Sequence, residues 1–376
     1  MCEINSHGGN VIVRKVLELC LKNGAKLAEP GEFTKRAFLN GRIDLLQAEA
    51  VIDIINSKSE KEVKAGISQL EGFLSKRIKE IKQEILDVMV NIDVSIDYPE
   101  YDVEEVNNKQ ILNMLDSIQI KLQNLEKSFD NGKLIKEGIK TAIIGKPNAG
   151  KSSLLNAILK EERAIVTEYE GTTRDTIEEF VNIEGIPLKL IDTAGIRDAK
   201  DEVEKIGISK SKEIAKDADL IIAIFDSSKE LTDEDKDILD IIKGRKAIIL
   251  LNKCDLNSVL DKDNSEFKDF KDKLIKVSAL KGDGLERLYD EIAKMFSLDE
   301  INLDNGVIVT NIRHKNFITY AIENVKKTRN AIEENVPIDI IAIFIKDILE
   351  NLGNITGEVV TEDIINEIFS KFCLGK

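Results

Sequence analysis

The chain has 376 residues, enough for two or three domains with full hydrophobic cores, and its composition (42% hydrophobic, 33% charged, five prolines, no tryptophan) excludes disordered, collagen-like and small disulfide-scaffold proteins. A net charge of −15 repels nucleic acid wherever it is not locally reversed, so any RNA contact must be local. Only residues 1–41 lean basic, with Arg14, Lys15, Lys22, Lys26, Lys35 and Arg36 against Glu3, Glu18, Glu29 and Glu32.

In chain order, Cys2 to about Asn40 combines a strand-like start, the pair Gly8-Gly9, an amphipathic stretch from Val11 to Lys22 and turns at Asn23-Gly24 and Pro30-Gly31, and reads as the tail of a domain. From Asp44 to Glu137 apolar residues recur at helical spacing (Ile67, Leu70, Phe73, Leu74, Ile78, Ile81, Ile85), which predicts long packed helices broken near Tyr98-Pro99. From Ile139 short β-branched runs alternate with helical ones: Thr141 to Ile144, Leu188 to Ile191, Leu220 to Phe225, Ala247 to Leu251 and Leu274 to Val277. That alternation predicts a parallel α/β sheet. After Ser297 long helices return, so an α/β domain is inserted into a helical one. The apolar runs fall far short of the roughly 18 residues needed to span a bilayer, which predicts a cytoplasmic protein with no membrane partner. Cys2, Cys20, Cys254 and Cys373 have neither zinc-site nor disulfide-framework spacing.

Gly145-Lys146-Pro147-Asn148-Ala149-Gly150-Lys151-Ser152 matches the phosphate-loop pattern between an apolar strand and a helical run from Ser153 to Leu159. Its backbone amides can wrap phosphates at a helix N-terminus, Lys151 can meet the β and γ phosphates, and Ser152 can ligate magnesium. Asp192-Thr193-Ala194-Gly195 follows a strand and supplies a carboxylate for water-mediated magnesium binding and a glycine for the γ phosphate. Asn252-Lys253-Cys254-Asp255 and Ser278-Ala279-Leu280 complete an ordered set, in which the Asp255 carboxylate can accept from guanine N1–H and its exocyclic amine. GTP is therefore the expected nucleotide. Between the phosphate loop and Asp192, the segment Thr167, Glu168, Tyr169, Glu170, Gly171, Thr172, Thr173 is expected at the nucleotide, with Thr173 completing magnesium coordination. After Gly195 stands Ile196, which cannot orient a water, leaving Arg197, Asp201, Glu202 and Glu204 as candidates for that role. His7 reads as a turn residue and His314 as a helix-surface residue.

The phosphate loop, Gly171-Thr172-Thr173-Arg174-Asp175, the Gly41 to Ala50 stretch, Ile355-Thr356-Gly357-Glu358 and the terminal Phe372-Cys373-Leu374-Gly375-Lys376 together resemble, nearly end to end, the MnmE (TrmE) family of bacterial tRNA modification GTPases. The resemblance implies a truncated α+β folate-binding domain over 1–41, a helical domain over 42–137 and 300–376, and a Ras-like GTPase domain with a mixed, mostly parallel sheet over 138–299. It further implies a cytoplasmic homodimer that works with the flavoprotein MnmG, in a heterotetramer, to place an aminomethyl or carboxymethylaminomethyl group on C5 of the wobble uridine of tRNA. Hydrolysis would depend on potassium, held by Asn148, Thr167, Tyr169 and Thr172, and on pairing of GTPase domains. The catalytic glutamate matches Glu204, and the thiol needed for modification matches Cys373, which the residues alone leave open between a reactive thiol and a packed or mobile one. A 5-formyltetrahydrofolate site would use Glu3, Arg42 and Lys376, with an arginine from an earlier segment completing it. The chain starts late within that domain, which points to a misassigned start codon or a fragment, and to poor folate binding by this sequence. The competing reading is a ribosome-assembly or regulatory GTPase switch, which shares the nucleotide motifs and lacks the Gly41 to Ala50 and C-terminal segments.

Overall fold

The computed structural model describes residues 2–97, 104–160, 164–165, 179–183, 185–191, 207–261, 264–296, 307–373 and 375. Helices α1 (Asn10–Lys22) and α2 (Glu32–Leu39) come first. Residues 2–9 form no strand, contrary to the strand-like start expected, and α1 buries none of its residues.

Asp44 opens α3 (Leu45–Ile55) by a reciprocal cap: its side chain accepts from the Gln47 backbone N–H while the Gln47 side chain accepts from Asp44 N–H. Ser59 caps α4 (Glu60–Leu70). The long helices α5 (Phe73–Asp97) and α6 (Glu104–Glu137) follow. Their apolar stripes meet: Ile78, Ile81, Ile85 and Val88 share one core with Ile111, Leu115, Ile118 and Leu122. Into that same core, from beyond the sheet, come Ile318 and Val325 of α11 (Ile312–Glu333) and Ile345, Ile348, Leu352 and Ile355 of α12 (Ile338–Thr356). The two helical segments therefore form one body with an inserted α/β unit, each fully buried isoleucine or leucine contributing about 1.5–3 kcal/mol. The last helix, α13 (Glu362–Ser370), places Ile365, Phe369 and then Phe372 on Leu45 and Ala48 of α3 and on Phe38 of α2.

The inserted unit is a seven-stranded sheet in the order β2-β3-β4-β1-β5-β6-β7. The strands are β1 (Ile139–Ile144), β2 (Ala164–Ile165), β3 (Glu179–Ile183), β4 (Ile186–Ile191), β5 (Leu220–Asp226), β6 (Ala247–Asn252) and β7 (Leu274–Lys276). β4-β1-β5-β6-β7 pair in parallel, and β2-β3-β4 antiparallel. β5 is buried along Leu220–Phe225 because both faces are covered: Ile222 and Ile224 enter the core under α7 (Lys151–Lys160) and α10 (Leu285–Met295), whereas Ile221, Ala223 and Phe225 enter the one under α9 (Asp233–Ile242). The fold is thus the expected insertion of a mixed, mostly parallel sheet into a helical body. α8 (Gly207–Asp217) precedes β5.

The sheet is seated on the helices through α4 and the end of α6. Ile135 and Ala65 pack in the sheet's core, Lys136 Nζ holds both Asp53 carboxylate oxygens at 2.8 Å, and Lys58 Nζ lies 3.7 Å from the centre of the Phe180 ring. Glu62 is buried at this junction, and burial outweighs the Lys58 N–H bond, raising its carboxyl to about 7.

His314 corrects the surface reading. It is 0% exposed because it shares a helical stripe with Ile318 and Ala321 and so faces the helical core. Its polarity is met by Glu49 of α3, whose Oε2 lies 2.6 Å from His314 Nε2 and 3.1 Å from Arg313 Nη2. Burial alone would raise Glu49, but His314 and Arg313 together pull it down to about 2.

Candidate nucleotide-binding site

β1 ends at Ile144, and the chain turns through Gly145–Gly150 into α7. Gly150 has φ +109, and a Cβ there would stand 2.1 Å from Asn252 Nδ2, so only glycine fits this close approach. Asn148 also takes positive φ, at 63°. The first helical bond of α7 is Leu154 N–H to Gly150 O at 2.8 Å, which leaves Lys151, Ser152 and Ser153 at the positive end of the helix. Lys151 Nζ reaches back to Gly145 O and Lys146 O at 2.7 and 2.8 Å and spans the loop. Lys146 ties the loop's outer side to α9 through Thr232 Oγ1 at 2.8 Å and Asp235 at 2.6 Å, a bond the motif did not announce.

Asn252, 2% exposed at the end of β6, joins two loops: its Nδ2 donates to Ala149 O at 2.8 Å, and its Oδ1 accepts from Ala279 N–H at 2.9 Å. Ser278 Oγ donates to Asp255 Oδ1 at 2.8 Å, which orients an exposed carboxylate at the rim. Lys253, at φ 63, is held by Asp226 at 2.6 Å. Burial opposes ionisation of Asp226, but bonds from Lys253 and Ser228 win and lower its carboxyl below the usual range. Leu280 is 83% exposed beside Ala279. Asn148, Ala149, Gly150, Lys151, Ser152, Ser153, Asn252, Lys253, Asp255, Ser278, Ala279 and Leu280 therefore come together at one end of the sheet, on the loops that follow β1, β6 and β7.

The remaining expected nucleotide residues, Thr167 to Thr173, Asp192 to Gly195 and Glu204, lie outside the described residues, as does Lys376. The described strands place their roots: β4 ends at Ile191, paired with Ala142 of β1. The tight glycine loop, the lysine spanning it and the hydroxyl of Ser152 at the helix start fit a magnesium nucleotide, for which Ser152 would supply one ligand.

Of the expected folate residues, Glu3 and Arg42 are exposed, and Lys376 lies outside the described residues. Among the described residues no hydrogen bond or ion pair joins the exposed Glu3 and Arg42 to each other or to Cys373. Cys373 is exposed, and its carbonyl accepts from Gly31 N–H at 3.4 Å where Phe372 packs on Gly31, so the C-terminal segment lies against residues 31–38.

A phosphate loop cross-linked by an asparagine to a serine-alanine loop, with an oriented aspartate at the rim, defines a guanine-nucleotide-binding GTP hydrolase. A family model described as the MnmE helical domain matches residues 45–373, and one described as the GTP-binding protein TrmE N-terminus matches residues 1–42. Among curated proteins named tRNA modification GTPase MnmE, those of Acetivibrio thermocellus (49% identity) and of a Thermoanaerobacter species (52%) align with all of this chain and with 82% and 81% of their own lengths. That of Clostridioides difficile is 47% identical over 100% of this chain and 82% of its own. The chain belongs to the MnmE family of tRNA modification GTPases.

Proposed function

We propose that this GTPase acts with the flavoprotein MnmG, as a heterotetramer built on its own homodimer, to add an aminomethyl or carboxymethylaminomethyl group to C5 of the wobble uridine of tRNA in the cytoplasm. The observation that carries the reading is the Asn252 bridge from Ala149 to Ala279, which joins the phosphate loop to the Ser278-Ala279 loop in a chain whose residues 1–42 and 45–373 match the family models. Among the described residues, no helix is long and apolar enough to cross a membrane.

In this reading Lys151 and the amides of Asn148 to Ser153 bind the phosphates, Ser152 and Thr173 hold magnesium, and Asp255 selects guanine. Asp192 holds magnesium through water, and Gly195 reaches the γ phosphate. Asn148 with Thr167, Tyr169 and Thr172 holds potassium, whose charge can substitute for an arginine finger, an effect of roughly 10³-fold or more in rate. Glu204 polarises the attacking water, and Cys373 serves the modification step. Glu3, Arg42 and Lys376 belong to a folate site. The boundaries proposed are 1–41, 42–137, 138–299 and 300–376.

The test is GTP turnover in potassium against sodium, followed by modification of a tRNA transcript with added MnmG. Faster turnover in potassium and product that requires GTP support the proposal. Equal rates in both salts with Asn148→Ala unchanged, or turnover without any modified uridine, count against it.

A further inference from the structure

The head of α5 carries a cleft that the nucleotide chemistry does not use. It has a volume of about 530 Å³ and is lined by Asp44, Gln47, Gly72, Ser75, Lys76, Lys79 and Glu80. α4 ends and α5 begins at Gly72 (φ +86), and Lys76 N–H is the first to bond back, onto Gly72 O at 2.8 Å. The positive end of a 25-residue helix therefore opens on this cleft, with no acidic residue in its first turn. Ser75 in its wall is 3% exposed, and its Oγ has no hydrogen-bond partner. An orphaned buried hydroxyl is unfavourable unless something supplies the missing partner.

The charges around it favour an anion. Lys76 and Lys79 form no ion pair among the described residues. The two carboxylates that line the cleft are engaged elsewhere: Asp44 Oδ1 accepts Gln47 N–H at 3.0 Å, and Glu80 pairs with Arg77 at 3.1 Å. Gln47 Nε2 donates to Leu70 O at 2.9 Å, which occupies a carbonyl at the negative end of α4. Gly72, Ser75, Lys76 and Lys79 fall on one helical stripe, so the basic residues continue outward from the helix end. Lys82, a turn further, is paired with Glu358. In a chain of net charge −15 the lining is locally balanced, two lysines against two carboxylates that are already engaged. Phe73, the first residue of α5, is 53% exposed beside it and offers a face on which a base can stack.

We propose that this cleft binds a phosphate of the RNA backbone, with Ser75, the α5 amides, Lys76 and Lys79 as its partners. The proposal rests on the reading that this protein acts on tRNA. A free phosphate ion shares the oxyanion chemistry, but the exposed aromatic ring and the lysines leading away from the helix end suit a polymer.

The test measures binding of a fluorescent tRNA transcript to the full chain saturated with GDP, across a salt series, for the parent, Ser75→Ala and the double variant Lys76→Gln/Lys79→Gln. Affinity is expected to fall roughly 10-fold for Ser75→Ala, the scale of a lost hydrogen bond to a charged group. The double variant is expected to lose at least as much and to flatten the slope of log K against log salt by about 1. Thermal midpoints and basal GTP turnover should stay at parent values, since Ser75 Oγ has no partner to lose. Parental binding by both variants would overturn the proposal, as would weakened binding accompanied by a lower midpoint and an unchanged salt slope. If inorganic phosphate raises the midpoint of GDP-saturated parent but not of Ser75→Ala, while tRNA binding is the same in all three proteins, the cleft is a small-anion site and the RNA assignment is wrong. A parent that binds no tRNA at all contradicts the tRNA reading itself, a result distinct from variants that bind like the parent.

Discussion

Asn252 is where the nucleotide site is most exposed to a single substitution. Asn252→Ala removes the donor that holds Ala149 O at 2.8 Å and the acceptor that holds Ala279 N–H at 2.9 Å, both beside a side chain only 2% exposed. Each buried group left without its partner costs about 1–3 kcal/mol. Two such losses bracket about 2–6 kcal/mol, part of it relaxed when the loops separate in the empty protein. The remainder falls on the nucleotide complex, because the phosphate loop and the base loop must be held in register to grip both ends of one ligand. A loss of about 2 kcal/mol corresponds to roughly 30-fold weaker binding. Stopped-flow release of a fluorescent GDP analogue measures this directly, and the change should lie mainly in a faster off-rate. An affinity within twofold of the parent would refute the idea that this bridge couples the two loops.

Glu49→Gln should destabilise the helical body by about 3–5 kcal/mol, since it leaves Arg313 beside a neutral amide in a buried site. Urea unfolding followed by far-ultraviolet circular dichroism reads it. Because the folded Glu49 carboxyl is held at about 2 against an ordinary 4.5, its contribution is present above about pH 4.5 and is lost as pH falls toward 2. The parent should therefore lose stability across that acid window and the variant should show a shallower decline; parallel curves would contradict the assignment. Glu204→Ala should keep GTP affinity and slow hydrolysis by roughly 10²-fold or more, whereas Glu202→Ala should change neither. Single-turnover hydrolysis in potassium decides, and parental rates for both would move the catalytic role elsewhere.

The helical body was legible because its apolar residues repeat at helical spacing, as Ile78, Ile81 and Ile85 do, and all three are buried. The central strands were legible as continuous apolar runs, since strands covered on both faces show no alternation. The β2-β3-β4 hairpin region was harder to read. β4 starts at Ile186, but Pro187, opposite Asn182, lacks the N–H that a strand reading expects, so only Leu188 onward stood out. His314 was misread because a charged neighbour on each side, Arg313 and Lys315, hid its place on the stripe of Ile318 and Ala321. Its partner Glu49 is distant in sequence, and no local pattern announces such a pair. In the nucleotide site, the fixed order of motifs gave the residues, whereas the Lys146 bond to Asp235 depends on how α9 packs against the loop.

We propose that the base choice of this GTP hydrolase rests on Asp255, held by Ser278 Oγ at 2.8 Å. The most direct measurement is kcat/KM for GTP and for xanthosine triphosphate in the parent and in Asp255→Asn. In the proposed role the carboxylate would accept two bonds from guanine, each worth about 1.5–3 kcal/mol when charge-assisted, so the variant should lose roughly 10²-fold or more with GTP. Xanthine carries a carbonyl where guanine carries its amine, and the introduced amide can donate to it, so the variant should turn over xanthosine triphosphate better than GTP. Unchanged GTP turnover by Asp255→Asn, or a parent that hydrolyses ATP as well as GTP, would contradict the account.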